Sequence, residues 1–112
     1  MIVKLKRKRI NIDVKKLSFF GKFTGLMFRS RNTENLLFDF SNSREKAIHS
    51  FFVFFPFLAL WLDDKNNIVE YNLVKPFTFL VKPKKDVSQL IEVPANDKNK
   101  EIIEIVDGKG KI

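Results

Sequence analysis

A mainly β fold, α+β at most, is predicted by three features of this sequence. Residues 51–62 (FFVFFPFLALWL) form an unbroken apolar run. Short blocks near both ends alternate apolar and polar residues with the period of a strand. Turn-forming clusters, SNSRE at 41–45 and DDKNN at 63–67, interrupt the apolar segments. The architecture expected is a small antiparallel β-barrel or sandwich with one short helix, in the N-terminal half, packed on the sheet. Length sets the domain count: 112 residues make one domain, 1–112. With 45% hydrophobic and 30% charged residues, general disorder is excluded. Thirteen Phe promise a strongly driven core, since each contributes roughly 1.5–3 kcal/mol when buried.

The elements follow in order. Val3 and Leu5 alternate with Lys4 and Lys6, and Ile10, Ile12 and Val14 with Asn11, Asp13 and Lys15, which predicts one or two strands. Arg7, Lys8 and Arg9 break the alternation, so a bulge or turn belongs there. Leu17, Phe20, Phe23 and Met27 recur at helical spacing, which predicts a short helix over 17–27 with Gly25 as a C-cap. Residues 29–35 are a polar loop, 36–40 (LLFDF) a strand, and 47–55 a further strand ended or bent by Pro56. Residues 57–62 and 68–74, joined by DDKNN, make the clearest hairpin of the chain. Pro76 and Pro83 bracket a strand-like patch at 77–81, and 87–93 alternates as another strand. Ile102, Ile103, Ile105 and Val106 form a last element, helix turn or strand, before the Asp107-Gly108 turn.

The apolar run offers Phe51, Val53 and Phe55 to one side of a strand and Phe52 and Phe54 to the other. An antiparallel sheet of this size ordinarily keeps one face wet. A second cover is therefore required, either the 17–27 helix or a partner subunit in a homodimer.

Several classes of chemistry are excluded. The absence of Cys removes disulfides, zinc ribbons, iron–sulfur sites and Cys nucleophiles. No Gly-rich phosphate loop, dinucleotide fingerprint or GxSxG context occurs, so no cofactor is expected. The N-terminal stretch lacks the apolar segment of a secretory signal. The longest uncharged stretch, 47–62, is shorter than the ~20 residues of a membrane span. A cytoplasmic location without a membrane span is the expectation. Of the net charge of +8, residues 1–16 carry +6, so the basic N-terminal strand segment faces any acidic partner.

Seven blocks then occur in a recognisable order: GLMFR (25–29), LFDF (37–40), IHSFF (48–52), FP (55–56), LD (62–63), KP (75–76) and LIEVPA (90–95). Over residues 17–112 this pattern resembles the uncharacterised family called domain of unknown function 192, in its archaeal-like form. The resemblance implies a compact antiparallel β structure with a short helix near GLMFR, and no established activity. Val53, Phe54, Leu58 and Asn96 depart from residues common in that family (Met, a polar or basic residue, an acid and Gly). The resemblance thus implies that a polar site built on positions 54 and 58 is lost here.

Candidate site residues are few. His49, the sole histidine, reads as a base or ligand, or as a structural hydrogen-bonding group; the second reading is preferred. Arg29 and Arg31 offer an anion clamp, or an ion pair of Arg29 with Asp39 or Glu34 that pins the loop. No metal site is expected, because a lone His would need acids alone as co-ligands. Asp63 and Asp64 are adjacent in a turn and point apart, so they make no acid–base pair. No catalytic residue is assigned, and an enzyme would need a pocket joining His49, Arg29 and Asp39. Lys4, Lys6, Arg7, Lys8 and Arg9 are the strongest nucleic-acid feature. The apolar blocks do not interleave with them as stacking platforms require, and a solvated edge strand explains them equally. The sequence reads as a non-enzymatic binding or interaction module, with weak nucleic-acid or polyanion binding through the basic segment as the alternative.

Overall fold

The computed structural model describes residues 1–17, 26, 29–40, 53–78 and 81–108. Strands β1 (Ile2–Leu5) and β2 (Lys8–Asn11) form an antiparallel hairpin, with Val3 opposite Ile10 and Lys4 opposite Arg9. The break in alternation is a turn at Lys6-Arg7, where Lys6 takes φ 56. Period-two placement buries Val3 and Ile10 and leaves Lys6 to Arg9 in solvent.

The main sheet has five strands: β3 (Val14–Lys16), β4 (Asn35–Asp39), β5 (Phe57–Leu62), β6 (Ile68–Val74) and β7 (Gln89–Pro94). Their spatial order is β3-β4-β7-β5-β6. All neighbours are antiparallel except β3 and β4, which run parallel. Among the described strands β3 and β6 stand at the two ends of the order and do not pair with each other, so the fold is sandwich-like and the barrel alternative does not hold.

Strand β5 is buried at all six positions because it lies between β7 and β6 with a layer on each face. One face packs Phe57, Ala59 and Trp61 with Leu36, Phe38, Leu90, Leu17, Leu26, Val53 and Phe55. The other packs Leu58, Leu60 and Leu62 with Ile91 and Val93 beneath Val3, Ile10 and Ile12 of the N-terminal segment and Ile103 and Val106. The cover on both faces is thus found on β5 and not on the 51–55 strand for which it was expected: 53–55 are irregular, Phe54 is 63% exposed, and 51–52 lie outside the described residues. On the second face of β5 the cover comes from the basic hairpin and a C-terminal helix, α1 (Lys100–Asp107).

Helix α1 places Ile103 and Val106 one turn apart on its buried side. A 3₁₀ turn, Asp97–Asn99, leads into it, capped by the Asn96 side chain accepting from the Asn99 N–H at 3.1 Å. Gly108 closes the helix at φ 76, its N–H donating to the Glu104 carbonyl at 2.9 Å. Of the helix predicted over 17–27, Leu17 and Leu26 are buried in the first layer; residues 18–25 and 27 lie outside the described residues.

Two predicted strands shift. Residues 47–52 of the 47–55 strand lie outside the described residues, and 53–55 are irregular. Regular pairing starts only at Phe57, where Pro56 no longer costs a ladder hydrogen bond. Val53 and Phe55 are buried, whereas Phe54 is 63% exposed. In the 77–81 patch, Phe77 sits in a turn at φ 60, and residues 79–80 lie outside the described residues. A bulky side chain in this left-handed region costs roughly 1–2 kcal/mol.

The β5–β6 hairpin matches the reading of DDKNN as a turn. The Asp63 carboxylate accepts from the backbone N–H of Lys65 (2.9 Å) and Asn67 (2.8 Å) and from Asn67 Nδ2 (2.9 Å). Asn66 takes φ 65, a conformation Asn tolerates.

Candidate functional site

Two polar features stand out, on opposite faces of the sheet. The first is a cleft of about 620 Å³ between the β2–β3 segment, the 33–35 stretch and α1. Ile10, Val14, Ile102 and Ile105 give it apolar walls. Charged groups of both signs ring it: Arg9 and Lys98 against Asp13, Glu34 and Glu101. Its volume falls in the usual range of small-ligand sites.

Asn35 belongs to this cleft and is 8% exposed. It is the first residue of β4, opposite Val14 of β3. Its Nδ2 donates to the Asp13 carbonyl at 3.0 Å, tying β4 to the β2–β3 link. Its Oδ1 is buried and accepts nothing. A buried acceptor without a donor costs about 1–3 kcal/mol. Asn99, also buried beside the cleft, is satisfied by contrast, donating to the Pro94 carbonyl at 2.8 Å.

The second feature is Glu92, in the middle of β7 between Leu36 of β4 and Ala59 of β5. It is 4% exposed among the apolar residues of the first layer. Burial raises its pKa to about 8, and the Arg29 charge pulls in the opposite direction without restoring the ordinary value. The carboxyl is therefore mainly neutral at pH 7. Its Oε1 has no hydrogen-bond partner. Sequence reasoning missed Glu92 as a site residue. The local pattern did not mark it: period two groups Glu92 with Ser88 and Leu90, opposite Ile91 and Val93, which reads as an acid on the wetter face of a strand.

The predicted candidates are dispersed. Arg29 is half-buried, donates from Nη1 to Thr33 Oγ1 at 3.4 Å and acts electrostatically on Glu92. Arg31 is exposed beside a second hollow of about 410 Å³, and its carbonyl accepts from Asn96 Nδ2 at 2.8 Å. Asp39, half-buried, ends β4 opposite Gln89. His49 lies outside the described residues. Lys6, Arg7, Lys8 and Arg9 crowd the exposed hairpin turn; Lys4 is half-buried, its N–H donating to the Asn66 carbonyl at 2.9 Å. Asp63 is a turn-forming residue. Burial pushes its pKa up, but the hydrogen bonds from Asn67 and Lys65, helped by the Lys4 charge, outweigh that and hold it below the ordinary value. Among the described residues no group of His, Cys, Asp and Glu is placed to hold a metal ion.

The family model of DUF192, described as an uncharacterised ACR, matches residues 1–107. The chain belongs to this family. The match takes in the basic hairpin, so the family region begins upstream of the 17–112 span that carries the sequence motifs. A crystal structure of a protein of unknown function from Novosphingobium aromaticivorans is similar, with a TM-score of 0.72 at 10% identity. The superposition covers 90% of this chain and 74% of that one. At that identity the likeness concerns the fold. No curated protein matches the sequence. Among the described residues no helix is long and apolar enough to cross a membrane.

Proposed function

We propose that this DUF192 domain is a non-enzymatic binding module and that its ligand occupies the cleft between β2–β3 and α1. One observation carries the reading: a ligand-sized cleft ringed by charges of both signs, with Asn35, whose buried Oδ1 lacks a donor, among its lining residues. The ring of opposite charges suits a small zwitterion such as an amino acid or dipeptide. The non-enzymatic part rests on separation. Glu92, the described acid tuned into the range of a general acid, faces the opposite layer from the cleft. The reading treats residues 1–112 as one cytoplasmic domain.

Titrating the ¹⁵N-labelled protein with a panel of free amino acids and dipeptides tests this. Amide shifts should cluster at Asn35, Asn99 and Ile102, and Ile105→Trp, which fills the cleft, should abolish them. If no member of the panel moves these amides, or the shifts persist in the Trp variant, the reading is wrong.

A second reading, polyanion binding, is favoured by the hairpin turn. Four cations, Lys6 to Arg9, stand exposed within one two-residue turn and its flanks. Contacts from such a cluster to phosphates give binding that weakens steeply with salt.

A further inference from the structure

We infer that the flank of the sheet along β6 is a binding track for single-stranded nucleic acid, with Phe54 and Phe77 as its base-stacking platform. The inference rests on the polyanion reading of the hairpin and gives it a path and a ligand class. Three segments distant in sequence meet along this flank. At its start, Lys4 bridges to Asn67, which brings the cationic hairpin turn to the head of β6. Further along, the Glu70 carboxylate accepts from the backbone N–H groups of Lys84 (2.9 Å) and Lys85 (3.3 Å). Those two bonds engage the acid and fix the Lys-Pro-Lys-Lys segment at the flank, where Lys82, Lys84 and Lys85 are exposed. At the far end, the Phe54 and Phe77 rings meet edge to face with centroids 5.3 Å apart.

Burial does not account for that aromatic pair. Phe54 is 63% and Phe77 50% exposed, and Phe77 holds a left-handed backbone conformation in a turn where a small or polar residue would be at ease. Strained, exposed aromatic residues of this kind mark ligand clamps. Strand rise sets about 25 Å between the hairpin end of β6 and the Phe77 turn, enough for a short oligonucleotide. Cations along the way and aromatic faces at one end are the two elements of sequence-tolerant single-strand binding. The sequence kept them apart: the basic runs and the Phe runs lie in separate blocks, and only the sheet brings them to one flank.

The experiment is fluorescence anisotropy of a labelled oligothymidylate of about twelve nucleotides titrated with the full chain at several salt concentrations. Binding should weaken as salt rises. The K6Q/R7Q/K8Q/R9Q variant should flatten that dependence. The F54L/F77L variant should keep the salt slope but bind about tenfold or more weakly, because stacking is lost while the charges remain. F77L alone provides the same comparison if the double variant unfolds. Equal binding by the wild type and the Leu variants, or polyphosphate displacing the oligonucleotide as well as unlabelled oligothymidylate does, overturns the stacking track and leaves the polyanion reading standing. No binding by the wild type even at low salt overturns both. A wild-type dimer that F54L/F77L converts to monomer also overturns the track, since the two rings would then serve a second copy of this chain.

Discussion

Glu92→Gln should stabilise this protein near neutral pH, by an amount that vanishes in acid. The unfolded chain ionises this carboxyl near the ordinary value of 4.5, whereas the folded protein holds its proton up to about 8. Between those values the unfolded state carries one proton fewer than the native state, so stability falls as pH rises. Each pH unit inside the window costs about 1.4 kcal/mol, so roughly 3 kcal/mol has been lost at pH 7 and about 5 kcal/mol at the upper limit. Below 4.5 both states are protonated and the penalty is absent. Gln has nearly the same shape and no charge at any pH. The variant should match the wild type near pH 4.5 and gain on it steadily up to pH 8.

Urea unfolding followed by the fluorescence of Trp61, the chain's single Trp and fully buried, reads both proteins directly. The quantity of interest is the difference between the two proteins at each pH, which cancels groups that titrate alike in both. A difference that does not change between pH 5 and 8 would refute the reasoning, because it would mean that Glu92 ionises alike in the two states. Arg29 supplies an internal control. Its charge lowers the Glu92 pKa, so Arg29→Gln should extend the falling limb to higher pH.

Three further outcomes are expected. Asp63→Ala removes the acceptor of three hydrogen bonds in the β5–β6 turn and should cost about 1–3 kcal/mol in urea unfolding. Because the folded pKa of Asp63 is depressed, its contribution is complete above the unfolded value and disappears as pH falls through the folded one. The deficit of the Ala variant should therefore shrink in acid. Gly108→Ala should destabilise by about 1 kcal/mol, read as a lower Tm: a Cβ there meets nothing within 4 Å, so the cost is that of φ 76 alone. Trp61→Phe removes the 2.7 Å hydrogen bond from Nε1 to Asn72 Oδ1 and leaves a void at a fully buried position; a loss of about 2–4 kcal/mol is expected, followed by circular dichroism since the fluorophore is gone.

How far the fold could be read beforehand depended on whether its cause was local. The β5–β6 hairpin was legible because DDKNN states its own hydrogen-bonding: an acid with acceptors to spare, then an Asn that tolerates a left-handed backbone. Composition set the need for cover at 51–55, where Phe54 is instead exposed; that some strand of the apolar run is covered on both sides, as β5 is, was legible. The identity of one cover was not. Val3 and Ile10 read as the inner face of an edge strand, but which sheet face they would lie on depends on pairings between residues far apart in sequence, and no local pattern encodes that. The parallel β3–β4 pair escaped for the same reason. The candidate site shows the limit most clearly. Asn35 and Glu92 look ordinary in a sequence, one an Asn beside a polar loop, the other an acid in an alternating strand. They become chemically distinctive only when strands from elsewhere close over them and remove the water each would otherwise bind. Arg29 and Glu92 stand at opposite ends of the recognised motif series, in GLMFR and LIEVPA, and the fold brings the charge of one to bear on the other. In this domain, the strand order β3-β4-β7-β5-β6 is what turns a buried acid and an unpaired amide into features that binding or titration can read.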